Sequence, residues 1–124
     1  MVKSSQSGSD ELVDQIIKGI QDVKGHDILS VDLRNIPNSV SDFFVICHGT
    51  SDTQVEAIAR SVQDTVEKEL GEVPVHKEGT DNAEWILLDY FNAVVHIFRP
   101  ETREYYNLEK LWADADVKEI EYQL

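Results

Sequence analysis

Residues 85–98 read Trp85-Ile86-Leu87-Leu88-Asp89-Tyr90-Phe91-Asn92-Ala93-Val94-Val95-His96-Ile97-Phe98, and the other elements are built against them. Two apolar runs meet there at a short connection that contains an asparagine, which is the pattern of a β-hairpin buried over much of its surface. The segment that follows, residues 99–112, places two tyrosines and a tryptophan among alternating charges. Such a density of amphipathic aromatic side chains indicates a surface that a partner covers.

The first half of the chain contains a helix followed by a strand. Ser9 is suited to cap the helix, and Gly25 ends it. Apolar residues recur between them at helical spacing, namely Leu12, Val13, Ile16, Ile17, Ile20 and Val23. Further on, residues 28–33 alternate apolar and polar side chains, which predicts a strand with one solvated face.

The middle of the chain predicts a buried strand and a long helix. The uninterrupted apolar run Phe43–Cys47 is typical of a central strand that is covered on both faces. Ser51 or Asp52 then caps a helix that Gly71 closes. Residues 73–76 form a short strand, whose proline predicts a strand end or a sheet edge. A strand, a helix and a strand in this order predict a right-handed βαβ unit.

These elements fit one domain in a chain of 124 residues. We expect an α/β (α+β) fold in which helices flank a mixed five-stranded sheet. The predicted boundaries are a disordered lead over residues 1–8, a single domain over residues 9–113 and an acidic, fraying tail over residues 114–124.

The charge of the chain restricts its partners. A net charge of −13 and a pI near 4.5 repel phosphate backbones, and the eleven Lys and Arg residues form no visible patch. Direct nucleic-acid binding is therefore disfavoured, and a basic protein surface is the more natural partner. No apolar run approaches the ~20 residues that span a bilayer, and the polar start lacks a signal-peptide core. We expect a cytoplasmic protein.

The turn Gly49-Thr50-Ser51-Asp52 has two interpretations. It could hold an anion at the start of a helix, or its Ser-Asp pair could simply cap that helix. A strand, such a turn and a helix also resemble nucleotidyltransferases, which need two carboxylates one residue apart on the next strand to hold Mg²⁺. The sequence offers Val73-Pro74-Val75-His76-Lys77 there, so that metal site is missing.

The remaining reactive side chains predict no catalytic or metal site. The four histidines lack the spacing of a zinc site, and Cys47 is the only cysteine. Cys47 could act as a nucleophile beside His48, but neighbours in a strand point to opposite faces. A small buried thiol is the simpler interpretation. We expect no cofactor.

Five motifs, in order, resemble the ribosomal silencing factor family, also called RsfS or Iojap-like. The resemblance covers residues 10–112, and the motifs are Asp42-Phe43-Phe44-Val45-Ile46-Cys47-His48-Gly49-Thr50-Ser51-Asp52, Glu78-Gly79, Glu84-Trp85-Ile86-Leu87-Leu88-Asp89-Tyr90, Val94-Val95-His96-Ile97-Phe98 and Arg103-Glu104-Tyr105-Tyr106-Asn107-Leu108-Glu109-Lys110-Leu111-Trp112. The sequence departs from the family at Phe91-Asn92, where relatives tend to carry a smaller Gly-Asp-like turn.

The resemblance implies a nucleotidyltransferase-like fold without the catalytic carboxylate pair. It also implies a protein that is not an enzyme and that binds the large ribosomal subunit through ribosomal protein fourteen of that subunit. A protein placed there keeps the subunits apart and represses translation when nutrients are limited. The alternatives are a homodimerising interaction module, since the family contains dimers, and a nucleotidyltransferase-type enzyme.

The family motifs also indicate which residues form the ribosomal-protein interface. These are Trp85, Leu88, Asp89, Tyr90, His96, Phe98, Tyr105 and Tyr106. Because strand residues alternate between the two faces of a sheet, we expect about half of this set to contact the partner and half to be structural. We expect Trp112 to fill the core beneath the last helix.

Overall fold

The computed structural model of the chain describes residues 4–111 and 115–120. Its elements are α1 (Ser4–Asp22), β1 (His26–Asp32), β2 (Phe43–His48), α2 (Asp52–Leu70), β3 (His76–Glu78), β4 (Trp85–Asp89), β5 (Ala93–Phe98), α3 (Pro100–Tyr106), α4 (Leu108–Leu111) and β6 (Asp116–Glu119). Within these residues, no helix has the length and apolar character that crossing a membrane requires.

One sheet organises the domain, with its strands in the order β3-β4-β5-β2-β1-β6. β2 and β5 pair in parallel at the centre, and every other neighbouring pair is antiparallel. The mixed α+β class is confirmed, as are the β4–β5 hairpin and the fully covered central strand. The predicted number of five strands is wrong, because the described residues form six.

The additional strand, β6, lies where the sequence predicted a fraying tail. It pairs antiparallel with β1, with Val117 opposite Val31, and the Ile120 N–H extends the pairing to the Ile28 carbonyl (2.9 Å). All four side chains of β6 are exposed, and three of them are charged. The strand therefore forms through backbone pairing at a sheet edge and leaves no alternating apolar pattern in the sequence.

The first helix begins earlier than its predicted cap. α1 starts at Ser4, so Ser9 lies inside the helix and its hydroxyl donates to Asp42 Oδ2 (2.6 Å). Ser9 is thus a buried link between α1 and the loop before β2 rather than an N-cap. Of the predicted disordered lead, residues 4–8 are helical and residues 1–3 lie outside the described chain. Trp112 also lies outside it.

The short strand β3 begins at His76, whereas the sequence predicted a strand over residues 73–76. Pro74 lies just before it, at the edge of the sheet, as its missing N–H requires. The register of the intervening pairs makes β3 parallel to β2, but β4 and β5 lie between them. α2 therefore links two parallel strands that are not neighbours.

The sheet has two apolar faces with different coverings. The long helices α1 and α2 pack on one face, against side chains such as Val45, Leu88 and Val95. The opposite face carries a second cluster around Phe44, Ile46 and Phe98. Its partly buried members include Trp85, Leu87 and Leu108. This second face is not covered by α1 or α2. It carries Trp85 and Phe98, two of the predicted interface residues.

Candidate partner-binding surface

Trp85 is the centre of an aromatic group at the end of the hairpin. It begins β4 directly opposite Phe98, and the centroids of these two rings lie 4.9 Å apart. The Tyr106 ring packs on Trp85 at 4.8 Å, and the Tyr105 ring meets Tyr106 edge-on at 5.0 Å. We call the side chains of Trp85, Tyr105 and Tyr106 the aromatic platform. Phe98 is fully buried beneath it.

The helix α3 presents the two tyrosines. Pro100 occupies its first turn, where the missing N–H has no cost, and Asn107 ends it in a left-handed conformation with φ 49°. The buried Arg103 donates from Nη1 to His48 Nδ1 (2.9 Å), which links α3 to the end of β2. Tyr105 is left 81% exposed and Tyr106 49% exposed. The platform is therefore accessible and held by a fixed element.

His96 supports the platform from below. The Trp85 indole N–H donates to His96 Nδ1 (3.1 Å), which leaves the ring proton of the neutral imidazole on Nε2. Burial lowers the pKa of His96 to about 4. The imidazole is therefore neutral at physiological pH. It packs edge-on against Phe44 at 4.7 Å, so its role is to orient the indole rather than to transfer protons.

Two predicted interface residues lie on the face of the sheet that α1 and α2 cover. Leu88 and Tyr90 are buried in the cluster beneath α1 and α2, and burial raises the pKa of the Tyr90 hydroxyl. A partner cannot reach them without unfolding the domain. Asp89 is half-buried, and its Oδ1 accepts the Phe91 N–H (2.7 Å), so it stabilises the hairpin turn.

Of the eight residues predicted at the interface, the structure brings five together. Trp85, Tyr105 and Tyr106 form the platform, and His96 and Phe98 support it from within the sheet. One residue of this face was missed, since Leu87 is half-buried beside Trp85 in the second cluster. The sequence could have identified Leu87, because the two-residue period of a strand places Trp85 and Leu87 on the same face.

The turn between β2 and α2 is occupied by the chain itself. The Ser51 hydroxyl caps α2 by accepting the Gln54 N–H (3.2 Å). The side-chain oxygen Oε1 of Gln54 accepts from the Thr50 N–H and hydroxyl (2.8 and 3.0 Å). Its amide also donates to the Lys24 carbonyl (3.1 Å). These bonds support the capping interpretation and use donors that an anion would need.

Cys47 is a structural residue. It is fully buried, and burial raises the pKa of its thiol to about 12, so it is a poor nucleophile. The described ranges contain no group of three histidine, cysteine or acidic side chains that could hold a metal ion.

Comparison with known proteins decides the family. Residues 6–123 match the family described as "Ribosomal silencing factor during starvation". The chain belongs to the ribosomal silencing factor family. The match covers nearly the whole chain, including β6, and it confirms the resemblance seen in the sequence motifs. Members of this family are regulators rather than enzymes, so the chain is not a nucleotidyltransferase-type enzyme.

Individual relatives agree with this assignment. The chain is 46% identical over 102 residues to the ribosomal silencing factor RsfS of Bacillus subtilis, covering 82% of this chain and 84% of the relative. It is 38% identical over 111 residues to RsfS of Halalkalibacterium halodurans, covering 90% and 93%. A crystal structure of a protein from Chromobacterium violaceum, 36% identical, superposes with a TM-score of 0.79 over 84% of this chain and 85% of that one.

Proposed function

We propose that this silencing factor binds the large ribosomal subunit through ribosomal protein fourteen of that subunit. Bound there, it prevents the small subunit from joining and so represses translation when nutrients are limited. The observation that carries the proposal is the aromatic platform of Trp85, Tyr105 and Tyr106. It lies on the sheet face away from the long helices, on a chain whose family is defined by ribosome silencing.

The platform has the composition of an interface anchor. Tryptophan and tyrosine supply large apolar area with few rotatable bonds, and they dominate the energy of many protein interfaces. Tyr105 exposes most of its ring to solvent, which costs free energy that a covering partner recovers. An aromatic side chain at the centre of such a surface contributes roughly 2 kcal/mol or more to binding.

The supporting residues keep the anchor rigid before binding. The indole of Trp85 is fixed by its hydrogen bond to His96 and by stacking on Phe98. A side chain that is already ordered loses little rotamer entropy when a partner covers it. His96 and Phe98 therefore act in recognition by holding Trp85 and not by touching the partner.

The test is a sedimentation experiment with purified ribosomal subunits. Wild-type protein should keep large and small subunits apart, whereas Tyr105→Ala and Trp85→Ala should let them join. Val40→Ala is a matched control. Val40 is an exposed apolar residue in the loop that precedes the first residue of β2, and it is not part of the platform. Subunits that join equally well with and without the wild-type protein would refute the proposal.

A second measurement isolates the proposed partner. Purified ribosomal protein fourteen should bind the wild type and bind Tyr105→Ala about thirtyfold or more weakly, which corresponds to the loss of one anchor. Light scattering over a range of concentrations should accompany it, so that a change in self-association is not mistaken for a change in partner binding. Equal binding of Tyr105→Ala and Val40→Ala would remove the platform from the interface.

A further inference from the structure

The sheet face that carries Trp85 continues along β4 to the edge of the sheet at β3. Leu87 follows Trp85 on this face, because side chains two residues apart in a strand point the same way. β3 pairs with β4 so that Glu78 lies directly opposite Leu87 and His76 opposite Asp89. β3 is the terminal strand of the sheet, so a partner can approach these side chains from the edge as well as from the front. We call Glu78 and Leu87 the edge pair.

The edge pair joins an aliphatic surface to a carboxylate. Leu87 is half-buried at the border of the second cluster, and 65% of the Glu78 side chain is exposed. Among the described residues, no lysine or arginine forms an ion pair with Glu78. Lys77 extends to the other face of the sheet, where its Nζ lies 3.5 Å from Gln63 Oε1. The edge pair therefore fits a basic side chain that places its methylene groups on a leucine and its charge on a carboxylate.

His76 orients the carboxylate without using all of its acceptor positions. Its Nε2 lies 2.7 Å from Glu78 Oε2. An ionised carboxylate only accepts hydrogen bonds, so the imidazole donates from Nε2. The two oxygens of a carboxylate offer about four acceptor positions in total, and this bond occupies one of them. A side chain that is already held by a neighbour loses less rotamer entropy when a partner binds it.

Gly79 keeps the edge pair next to the aromatic platform. The motif Glu78-Gly79 has no part in the platform itself, but Gly79 has a φ of 80°, which favours glycine. A Cβ atom at this position would also overlap the carbonyl oxygen of Trp85. The loop after Gly79 returns through a hydrogen bond from the Ala83 N–H to the Gly79 carbonyl (3.2 Å). The glycine thus lets β3 turn closely onto the start of β4, which places Glu78 beside Leu87.

We propose that the edge pair receives a lysine or arginine side chain of ribosomal protein fourteen, within the same interface as the aromatic platform. The aliphatic stem of that side chain lies on Leu87, and its charged group meets the Glu78 carboxylate. Leu87 is about 7 Å along the strand from Trp85, so one partner covers both. A second copy of this chain is disfavoured as the occupant, because each copy carries a net charge of −13. The inference rests on the proposed binding to ribosomal protein fourteen.

The test measures the affinity of full-length variants for purified ribosomal protein fourteen. Glu78→Gln keeps the shape of the side chain and should bind about tenfold more weakly than the wild type, by a factor that shrinks as salt is added. Glu69→Gln, on an exposed part of α2, makes the same change in net charge and should bind as the wild type does. Equal binding of these two variants, with Tyr105→Ala still weakened, would overturn this inference alone. A wild type that does not bind would overturn the proposed function as well.

A charge reversal identifies the basic side chain on the partner. Glu78→Lys should bind more weakly than Glu78→Gln, because it places like charges together. Each exposed lysine and arginine of ribosomal protein fourteen is then changed to glutamate in turn. One of these partner variants should bind Glu78→Lys about tenfold or more tightly than it binds the wild-type chain, since the pair of opposite charges is restored. If every partner variant preferred the wild-type chain, Glu78 would have no basic counterpart in the interface and the assignment would be wrong.

Discussion

Phe91 holds a backbone conformation that a bulky side chain rarely adopts. Its φ is 74°, in the hairpin turn between β4 and β5, and its ring is 72% exposed. The turn requires this conformation, because the Phe91 N–H reaches Asp89 Oδ1 and the Asn92 N–H reaches the Tyr90 carbonyl (2.7 and 2.8 Å). The cost of a left-handed non-glycine residue is about 1–2 kcal/mol, and an exposed ring recovers little of it.

Phe91→Gly should therefore stabilise the domain by about 1 kcal/mol, because relief of the strain outweighs the added backbone freedom of the unfolded chain. Urea denaturation followed by circular dichroism would measure the change. Phe91→Ala is the matched control, since alanine removes the ring but keeps the Cβ atom that causes the strain. It should give no gain, and a gain as large as that of glycine would show that the ring, not φ, is the cause.

His96 makes stability depend on pH. Burial lowers its pKa from 6.5 to about 4, so between these values the unfolded chain binds a proton that the folded chain excludes. The contribution is fully present above pH 6.5 and is lost as pH falls toward 4. It amounts to about 3 kcal/mol at 1.36 kcal/mol per pKa unit.

His96→Gln should remove this part of the pH dependence, since glutamine stays neutral and its side-chain oxygen can accept the Trp85 indole N–H. The free energy of unfolding would be measured by urea denaturation at pH 7 and at pH 4. The loss of stability between these pH values should be about 3 kcal/mol smaller in the variant than in the wild type. Equal slopes in the variant and the wild type would exclude His96 as the titrating group.

The sequence identifies the aromatic side chains of the platform more clearly than it identifies which face of a strand is buried. Trp85, Tyr105 and Tyr106 are identifiable because exposed amphipathic aromatics have few structural uses. Leu88 and Tyr90 are in the predicted interface because they match the family motifs, and strand alternation separates two faces without saying which face the helices cover. That information is in the packing of α1 and α2, which no local pattern reveals.

At the scale of elements, the contact between α1 and α2 depends on one glycine. A Cβ atom on Gly19 would lie 2.8 Å from the Val62 Cα atom, which is backbone and cannot rotate away. The Ser61 hydroxyl donates to the Gly19 carbonyl (2.7 Å) and holds the helices at this distance. Close approach is therefore the reason for a residue that otherwise weakens a helix interior by about 1 kcal/mol.

Gly19→Ala should destabilise the domain by about 1–2 kcal/mol, because the overpacking cost of roughly 1–3 kcal/mol exceeds the gain in helix propensity. Thermal and urea denaturation would measure it. Gly8→Ala, in the same helix, is the control, since nothing lies within 4 Å of the added methyl group. It should be neutral or stabilising, and a Gly19→Ala protein as stable as Gly8→Ala would mean that the helices separate at little cost.

An element can be predicted from its own sequence when its own buried apolar side chains stabilise it. α2 and β4 bury apolar side chains at a regular period, and β5 is a continuous buried run, so their own sequences reveal them. β6 is held by backbone hydrogen bonds to β1, and its exposed side chains give no such pattern. The early start of α1 is also hard to predict from its own sequence, because the hydrogen bond between Ser9 and Asp42 joins residues that are far apart in the chain.

At the scale of the whole molecule, the charge of −13 concerns how partners approach. Under the proposed function, exposed acidic side chains raise the association rate of a basic partner protein, whereas the aromatic platform sets its dissociation rate. Ribosomal proteins are typically basic, so the acidic surface of this chain would attract the proposed partner. The two contributions separate experimentally, because salt screens charges over a Debye length of about 10 Å at 0.1 M and leaves buried aromatic contacts nearly unchanged.

Raising the salt concentration should slow association with ribosomal protein fourteen about tenfold or more, with little change in the dissociation rate. Tyr105→Ala should do the reverse, speeding dissociation while keeping the salt dependence of association. Glu84→Gln, an exposed acidic residue next to Trp85, should lower the association rate modestly and leave dissociation unchanged. Stopped-flow or surface-binding kinetics at several salt concentrations would measure both rates. If the association rate proved independent of salt, the acidic surface would have no part in recognition, and the platform alone would have to account for the specificity of binding.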